Sequence, residues 1–167
     1  SNFAGSLTPQ TPAWSHDGQW IAFTAIPSGD THTDAYVMKS DGSQAAERLN
    51  ARQYDGVSMP KFRVDNDWVY FIDGYYNGMI FRVNRITKVV ETIQGDSSKL
   101  VHTYDISRDG KYRIEMREDG CCWSPNTYTM LYDIQSGTSS TILATDGSAE
   151  AFPAFNWDNS RIVYSQA

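Results

Sequence analysis

The residues of this chain best suited to chemistry are its histidines, its loop aspartates and one pair of cysteines. Only three histidines occur, His16, His32 and His102, and an imidazole is the usual group for proton transfer near neutral pH. An acid–base pair such as Asp55 with His102 has the right residue types, but nothing in their separation along the chain sets a distance. A hydrolytic serine would need a nucleophile elbow of the form G-x-S-x-G, and the sequence has none. Cys121 and Cys122 are adjacent and match neither a zinc pattern nor a disulfide framework. A disulfide between neighbours closes a strained ring, and Glu118 and Asp119 would raise the pKa of the thiols beside them. The pair therefore reads as two loop thiols. Asp30, Asp34 and Asp73 offer carboxylates to a cation but lack EF-hand spacing. From these residues no catalytic residue, metal site or cofactor is assigned.

The elements that position these groups follow from composition and repetition. In 167 residues, hydrophobic side chains make up 40% and charged ones 20%, a globular balance. Ten Tyr, seven Phe and five Trp favour pleated, half-buried surfaces. The net charge of −6, with Arg48, Lys61, Arg82, Lys88 and Arg108 scattered, argues against nucleic acid as a partner. No apolar run is long enough for a spanning helix, so membrane insertion is not expected. No signal peptide opens the chain at Ser1-Asn2, which leaves the compartment open.

One segment recurs four times. Thr11-Pro-Ala-Trp-Ser-His-Asp-Gly-Gln-Trp-Ile-Ala-Phe23 is echoed by Met59-Pro-Lys-Phe-Arg-Val-Asp-Asn-Asp-Trp-Val-Tyr-Phe71. Thr103-Tyr-Asp-Ile-Ser-Arg-Asp-Gly-Lys-Tyr-Arg-Ile-Glu115 and Phe152-Pro-Ala-Phe-Asn-Trp-Asp-Asn-Ser-Arg-Ile-Val-Tyr164 complete the set. The turn aspartates Asp17, Asp65, Asp109 and Asp158 are spaced by 48, 44 and 49 residues, the length of a four-stranded propeller blade. Each unit predicts a first strand, an Asp-Gly or Asp-Asn turn, and a second strand: Trp20–Ala25, Trp68–Ile72, Tyr112–Met116 and Arg161–Ser165. Third strands are expected at Ala35–Lys39, Met79–Asn84 and Tyr128–Ile134. Fourth strands are expected at Ala46–Asn50, Val89–Ile93 and Ser139–Leu143. No helix is expected.

The first unit, Pro12-Ala-Trp-Ser-His-Asp-Gly with Ile21-Ala-Phe, Tyr36-Val-Met, Asp41-Gly-Ser43 and Arg48-Leu49-Asn50, resembles the repeat of TolB-type propellers. His16 stands where that family usually has Pro, and the third repeat has Tyr104 at the position of the other Pro. The resemblance implies an all-β propeller of four-stranded antiparallel blades, with about four repeats and the last incomplete. The repeats cover roughly 9–50, 51–94, 95–144 and 145–167 of a single domain, with 5–8 as a candidate strand for the last blade. It also implies a bacterial, periplasmic or secreted setting, with a cytoplasmic one left open. Such repeats serve in scaffold proteins, in domains attached to peptidases and in polysaccharide-active enzymes. A lyase of the oligogalacturonate type would place several His and Gln together for a metal, which three scattered histidines do not provide.

The fourth repeat lacks two strands, and an unpaired strand edge is a liability. Three arrangements follow: part of a longer propeller, a four-bladed ring with a thin last blade, or a homodimer in which two chains cover each other's open edge. Function is expected on the loops after second strands and before first strands, which are longer and richer than the turns opposite. The candidate binding residues there are Asp30, His32, Tyr54, Asp55, Tyr75, Tyr76, His102, Tyr104 and Trp123, the rings combining apolar area with a polar handle. The sequence thus points to a non-catalytic propeller that docks a protein or peptide, with carbohydrate as a second ligand class. Its alternative is a structural or regulatory module of a larger hydrolase or lyase acting on peptide or polysaccharide.

Overall fold

A computed structural model describes residues 7–50, 56–73, 79–93, 99–119, 126–146 and 152–165. These residues form strands and turns, with no helix among them. Each repeat folds as an antiparallel meander in chain order. The first sheet holds β1 (Thr8–Trp14), β2 (Trp20–Ile26), β3 (Asp34–Lys39) and β4 (Glu47–Arg48). The second holds β5 (Val57–Phe62), β6 (Trp68–Asp73), β7 (Met79–Asn84) and β8 (Val90–Ile93). The third holds β9 (Lys99–Ile106), β10 (Tyr112–Asp119), β11 (Asn126–Asp133) and β12 (Ser139–Asp146). In the fourth repeat, β13 (Ala154–Phe155) and β14 (Ile162–Val163) make a two-stranded sheet. Thr8, the last residue of the 5–8 segment, pairs with Ile26 in the first sheet.

Four strands differ from expectation by three residues: β12 runs on to Asp146 rather than ending at Leu143, β14 covers Ile162–Val163 rather than Arg161–Ser165, and two others differ for local reasons. The fourth strand of the first repeat shrinks to Glu47–Arg48. There the Asn50 side chain replaces backbone pairing, its Oδ1 accepting the Ala35 amide at 2.7 Å while the Leu49 amide reaches the Ala35 carbonyl at 2.8 Å. β10 runs three residues beyond the expected Met116, because Asn126–Asp133 and Lys99–Ile106 flank it along its whole length.

The turns explain the repeat's Asp-Gly/Asn signature. Gly18, Asn66, Gly110 and Asn159 all have φ between 60° and 72°, the left-handed region that only Gly, and Asn at lower cost, adopts readily. Asn does more than tolerate this backbone. Asn66 Oδ1 accepts the His16 amide at 2.8 Å, and Asn159 Oδ1 accepts the Arg108 amide at 2.8 Å. The second and fourth repeats thereby hold the turns of the first and third.

The repeat's Pro marks a bulge in the first strand. Register shifts between Gln10 and Ala13 in β1 and between Ser58 and Lys61 in β5, where Pro12 and Pro60 cannot donate to the ladder. In β9 the corresponding residue is Tyr104, which can stay in register, and the irregularity moves towards the loop end. Thr103 pairs with Met116 and Val101 with Arg117, so His102 becomes the extra residue.

The chain divides into two compact units, Ser1–Gly74 with Ile80–Ile93 and Tyr75–Met79 with Gln94–Ala167. In the first, alternate residues of β2 serve two cores. Ala22 joins Val37, Leu49, Val57, Val69, Phe71 and Phe81 on one side. Phe23 and Ala25 meet Tyr36, Leu7 and Met38 on the other. The ring pairs Phe71–Phe81 and Phe23–Tyr36 stack with centroids 5.5 and 5.6 Å apart. In the second unit, the Phe155 amide donates to Asp105 Oδ2 at 2.9 Å, tying β13 to β9.

Candidate functional site

The turn end has little free chemistry. Asp17 Oδ1 accepts from the Ser15 hydroxyl at 2.6 Å and the Gln19 amide at 2.9 Å. Asp109 Oδ1 accepts from the Ser107 hydroxyl at 2.7 Å and the Lys111 amide at 3.1 Å. Asp65, Asp158, Asp41 and Asp133 likewise cap the amides of Asp67, Ser160, Ser43 and Gln135. Hydrogen bonds from Ser15 and then Gln19 hold Asp17 below the usual carboxylate pKa, and those from Ser160 do the same for Asp158. These carboxylates form their own turns, as expected for Asp at such positions.

The opposite end of the first unit places Asp30 and His32 together. Asp30 Oδ1 accepts the Thr31 amide at 2.7 Å and lies 3.3 Å from His32 Nδ1, with the imidazole more than a third exposed. Behind them, Asp34 is buried and bonds Arg48 Nη2 at 2.9 Å and Asn50 Nδ2 at 3.3 Å through one oxygen. That arrangement ties the start of β3 to the end of the meander. Among the described residues, no group of three His, Cys, Asp or Glu is placed to hold a metal ion.

The second unit holds a tighter pair. His102 Nε2 lies 2.6 Å from Glu118 Oε2, with the imidazole about one third exposed and the carboxylate largely buried. The displaced bulge in β9 brings this about, since the extra residue falls at His102 and meets the far end of β10. An ionised carboxylate only accepts, so Nε2 carries the proton and Nδ1 of the neutral ring is left as an acceptor, an assignment inferred from the bonding partner. A ring so oriented can accept a hydrogen bond from a ligand or take a proton from one.

Beside this pair, β10 carries charge where its sister strands carry mainly hydrocarbon. Arg113, Glu115 and Arg117 alternate on one face and are 1%, 0% and 2% exposed. Their repeat counterparts are Ile21, Phe23 and Ala25 in β2, and Val69, Phe71 and Asp73 in β6. Glu115 pairs with both arginines: its Oε2 lies 3.1 Å from Arg113 Nε, and Oε1 accepts from Arg117 Nε. Both guanidiniums lie over the Tyr132 ring, at 4.2 and 5.5 Å from its centroid. Burial lowers the Arg113 pKa, with Glu115 working against that shift. Burial, and then the Glu115 charge, raises the Tyr132 pKa, which keeps that phenol neutral.

Of the nine candidate binding residues, the structure therefore brings Asp30 to His32 and sets His102 against Glu118. Tyr104 lies in β9 with its side chain buried. Tyr54, Asp55, Tyr75, Tyr76 and Trp123 lie outside the described residues, as do Cys121 and Cys122. The meeting of Glu118 with His102 was not legible in the sequence: counting outward from the Asp109-Gly110 turn sets residue 118 opposite Val101, and only the bulge at His102 changes that register. The arginine–glutamate alternation of β10 was readable against the mainly apolar residues of its sister repeats.

No protein-family model and no curated protein sequence matches the chain. Solved structures do match in fold. A TolB protein of Agrobacterium tumefaciens superposes with a TM-score of 0.74 at 22% identity, over 97% of this chain and 60% of its own. TolB of Acinetobacter baumannii gives 0.74 at 20% identity, over 96% of this chain and 38% of its own. An oligogalacturonate lyase of Vibrio parahaemolyticus gives 0.75 at 13% identity, over 97% and 48%. With its meander sheets and these neighbours, the chain is an all-β propeller module of TolB-like fold. It spans roughly half the length of the structures it resembles.

Proposed function

We propose that this chain is a non-catalytic binding propeller that docks a protein or peptide through its loop end. The observation that carries this reading is the contrast between the two ends. At the turns, carboxylate after carboxylate caps its own backbone. At the loops, the pairs Asp30–His32 and His102–Glu118 keep partly exposed imidazoles with fixed orientation. Rigid sheets that present a few oriented polar groups suit recognition, since little freedom is lost on binding. Carbohydrate is the second ligand class such a surface would take. A bacterial periplasmic or secreted setting accords with the TolB-like fold.

The second reading is a structural or regulatory module of a larger hydrolase or lyase. It is favoured by one observation, the cover of 48% of a lyase chain by this one.

Panning a random-peptide display library on the purified chain separates the two readings. Docking through the loop end predicts an enriched peptide whose affinity falls at least about tenfold, roughly 1.4 kcal/mol, with His102→Ala or His32→Ala. The turn-end change Lys111→Ala should leave that affinity unaltered. Failure to enrich any peptide, or equal sensitivity to changes at both ends, overturns the docking reading.

A further inference from the structure

The imidazoles of His32 and His102 are held in different ways. His32 Nδ1 lies 3.3 Å from Asp30 Oδ1 and 3.2 Å from the Thr31 hydroxyl, so two groups share one nitrogen at long range. His102 Nε2 instead meets a single partner, Glu118 Oε2, at 2.6 Å. One short bond to a carboxylate gives this ring a fixed polarity. Nε2 keeps its hydrogen for Glu118, and Nδ1, across the ring, keeps a lone pair. Among the described residues nothing bonds Nδ1.

Glu118 is built into the sheet. Its backbone lies opposite Leu100 on one side and Thr127 on the other. Its side chain is 10% exposed, against 36% for the imidazole. A carboxylate anchored in a central strand and largely withdrawn from water holds its donor firmly. Arg117, the next cation along β10, alternates to the opposite face and is engaged by Glu115. The imidazole N–H therefore answers the Glu118 charge, and the ring is fixed to the sheet through it.

On the reading that the loop end docks a peptide, we propose that Nδ1 of His102 is the acceptor that sets the specificity of that surface. It takes one hydrogen-bond donor of the peptide, a main-chain amide or a side-chain N–H or O–H, and turns away a carboxylate. The rejection has two causes. A carboxylate brings only lone pairs to a lone pair, and the Glu118 charge stands behind the ring. An acceptor taken from water and left unmet also costs free energy, so a peptide with no donor at this place is disfavoured too. Glu118 is a positioning residue, acting on the peptide through the ring.

Two substitutions separate the ring nitrogens. His102→Asn sets an amide oxygen near the place of Nδ1 and gives up the bond to Glu118. His102→Gln sets an amide near the place of Nε2, keeps that bond and gives up the acceptor. Against a peptide enriched on the wild-type chain, His102→Asn is expected to weaken binding about threefold and His102→Gln at least about tenfold, the worth of one hydrogen bond. A residue that merely holds Glu118 would give the opposite order.

On the peptide, N-methylation of each amide in turn locates a main-chain donor, and alanine at each side chain in turn locates a side-chain donor. One such change is expected to cost at least about tenfold on the wild-type chain and less than about twofold on His102→Gln, whose acceptor is already gone. Glutamate at the located position should bind the wild-type chain no better than alanine does, a comparison that needs neither variant to fold. Tighter binding by His102→Gln than by His102→Asn overturns the proposal. So does a peptide in which no donor couples to His102, or one in which glutamate at that position binds as well as the donor. Either result leaves docking itself standing, whereas a library that enriches no peptide removes docking and the acceptor together.

Discussion

At the scale of single residues, the most informative side chains are those that break the pattern of their repeat. Arg113, Glu115 and Arg117 stand where β2 and β6 put mainly hydrocarbon, and they are buried as deeply as it is. Buried ions cost desolvation that their mutual attraction only partly offsets, and removing one member is worse than removing all. Glu115→Ala is therefore expected to destabilise the fold by about 3–5 kcal/mol. The combined change Arg113→Val, Glu115→Phe, Arg117→Ala, which copies the sister repeats, should be neutral or stabilising by about 1–4 kcal/mol. Urea denaturation of the two variants checks both signs, and equal destabilisation would refute the account. His102 offers a second test at this scale. Nitrogen-15 NMR of the wild type should show the Nε2-protonated tautomer, and Glu118→Ala should restore exchange between the two tautomers, because the carboxylate that selects one is gone.

At the scale of elements, one residue type at one repeat position decides where a strand kinks. Pro12 and Pro60 put the bulge in the middle of β1 and β5. Tyr104 in β9 releases it towards the loop end, and His102 is turned onto Glu118 as a result. The turns carry a parallel lesson. Gly18 and Gly110 only permit the left-handed backbone, whereas Asn66 and Asn159 adopt it and also bind the preceding repeat's turn. Asn66→Gly keeps the backbone and loses the bond to the His16 amide, so a cost of about 1 kcal/mol is expected. Asn66→Ala adds the left-handed penalty of about 1 kcal/mol or more and should cost roughly twice as much. Thermal melts that rank the two variants the other way round would contradict this division of roles.

At the scale of the whole molecule, the turn carboxylates give the chain an acid limit. Asp17, Asp41, Asp133 and Asp158 are held below the usual carboxylate pKa by hydrogen bonds from their own turns. At Asp109, partial desolvation works upward but is outweighed by the Ser107 and Lys111 bonds. A carboxylate whose pKa is lowered on folding contributes stability that is present above its unfolded value. That stability is lost as pH falls through the folded value. The melting temperature should therefore hold steady down to about pH 5 and fall below about pH 4. A melting temperature that instead rose on acidification below pH 4 would show that these bonds do not favour the charged forms.

The strands, their order within each sheet and the turn chemistry were all determined by the sequence, because they rest on local information. Alternating side chains, Pro at a bulge and Asp-Gly or Asp-Asn at a turn act over a few residues, and four copies of the same pattern reinforce one another. Strand ends were less legible, as at Asn50, where a side chain takes over from the backbone, and in β10, which its two neighbours prolong. The candidate site was legible only in part. Asp30 and His32 are close along the chain, so their meeting could be anticipated. His102 and Glu118 meet only because a one-residue shift in the β9–β10 register selects which side chains face each other. The burial of Arg113, Glu115 and Arg117 depends on what covers their sheet. That is a property of packing, which no single strand's sequence encodes, and only the tertiary structure decided it.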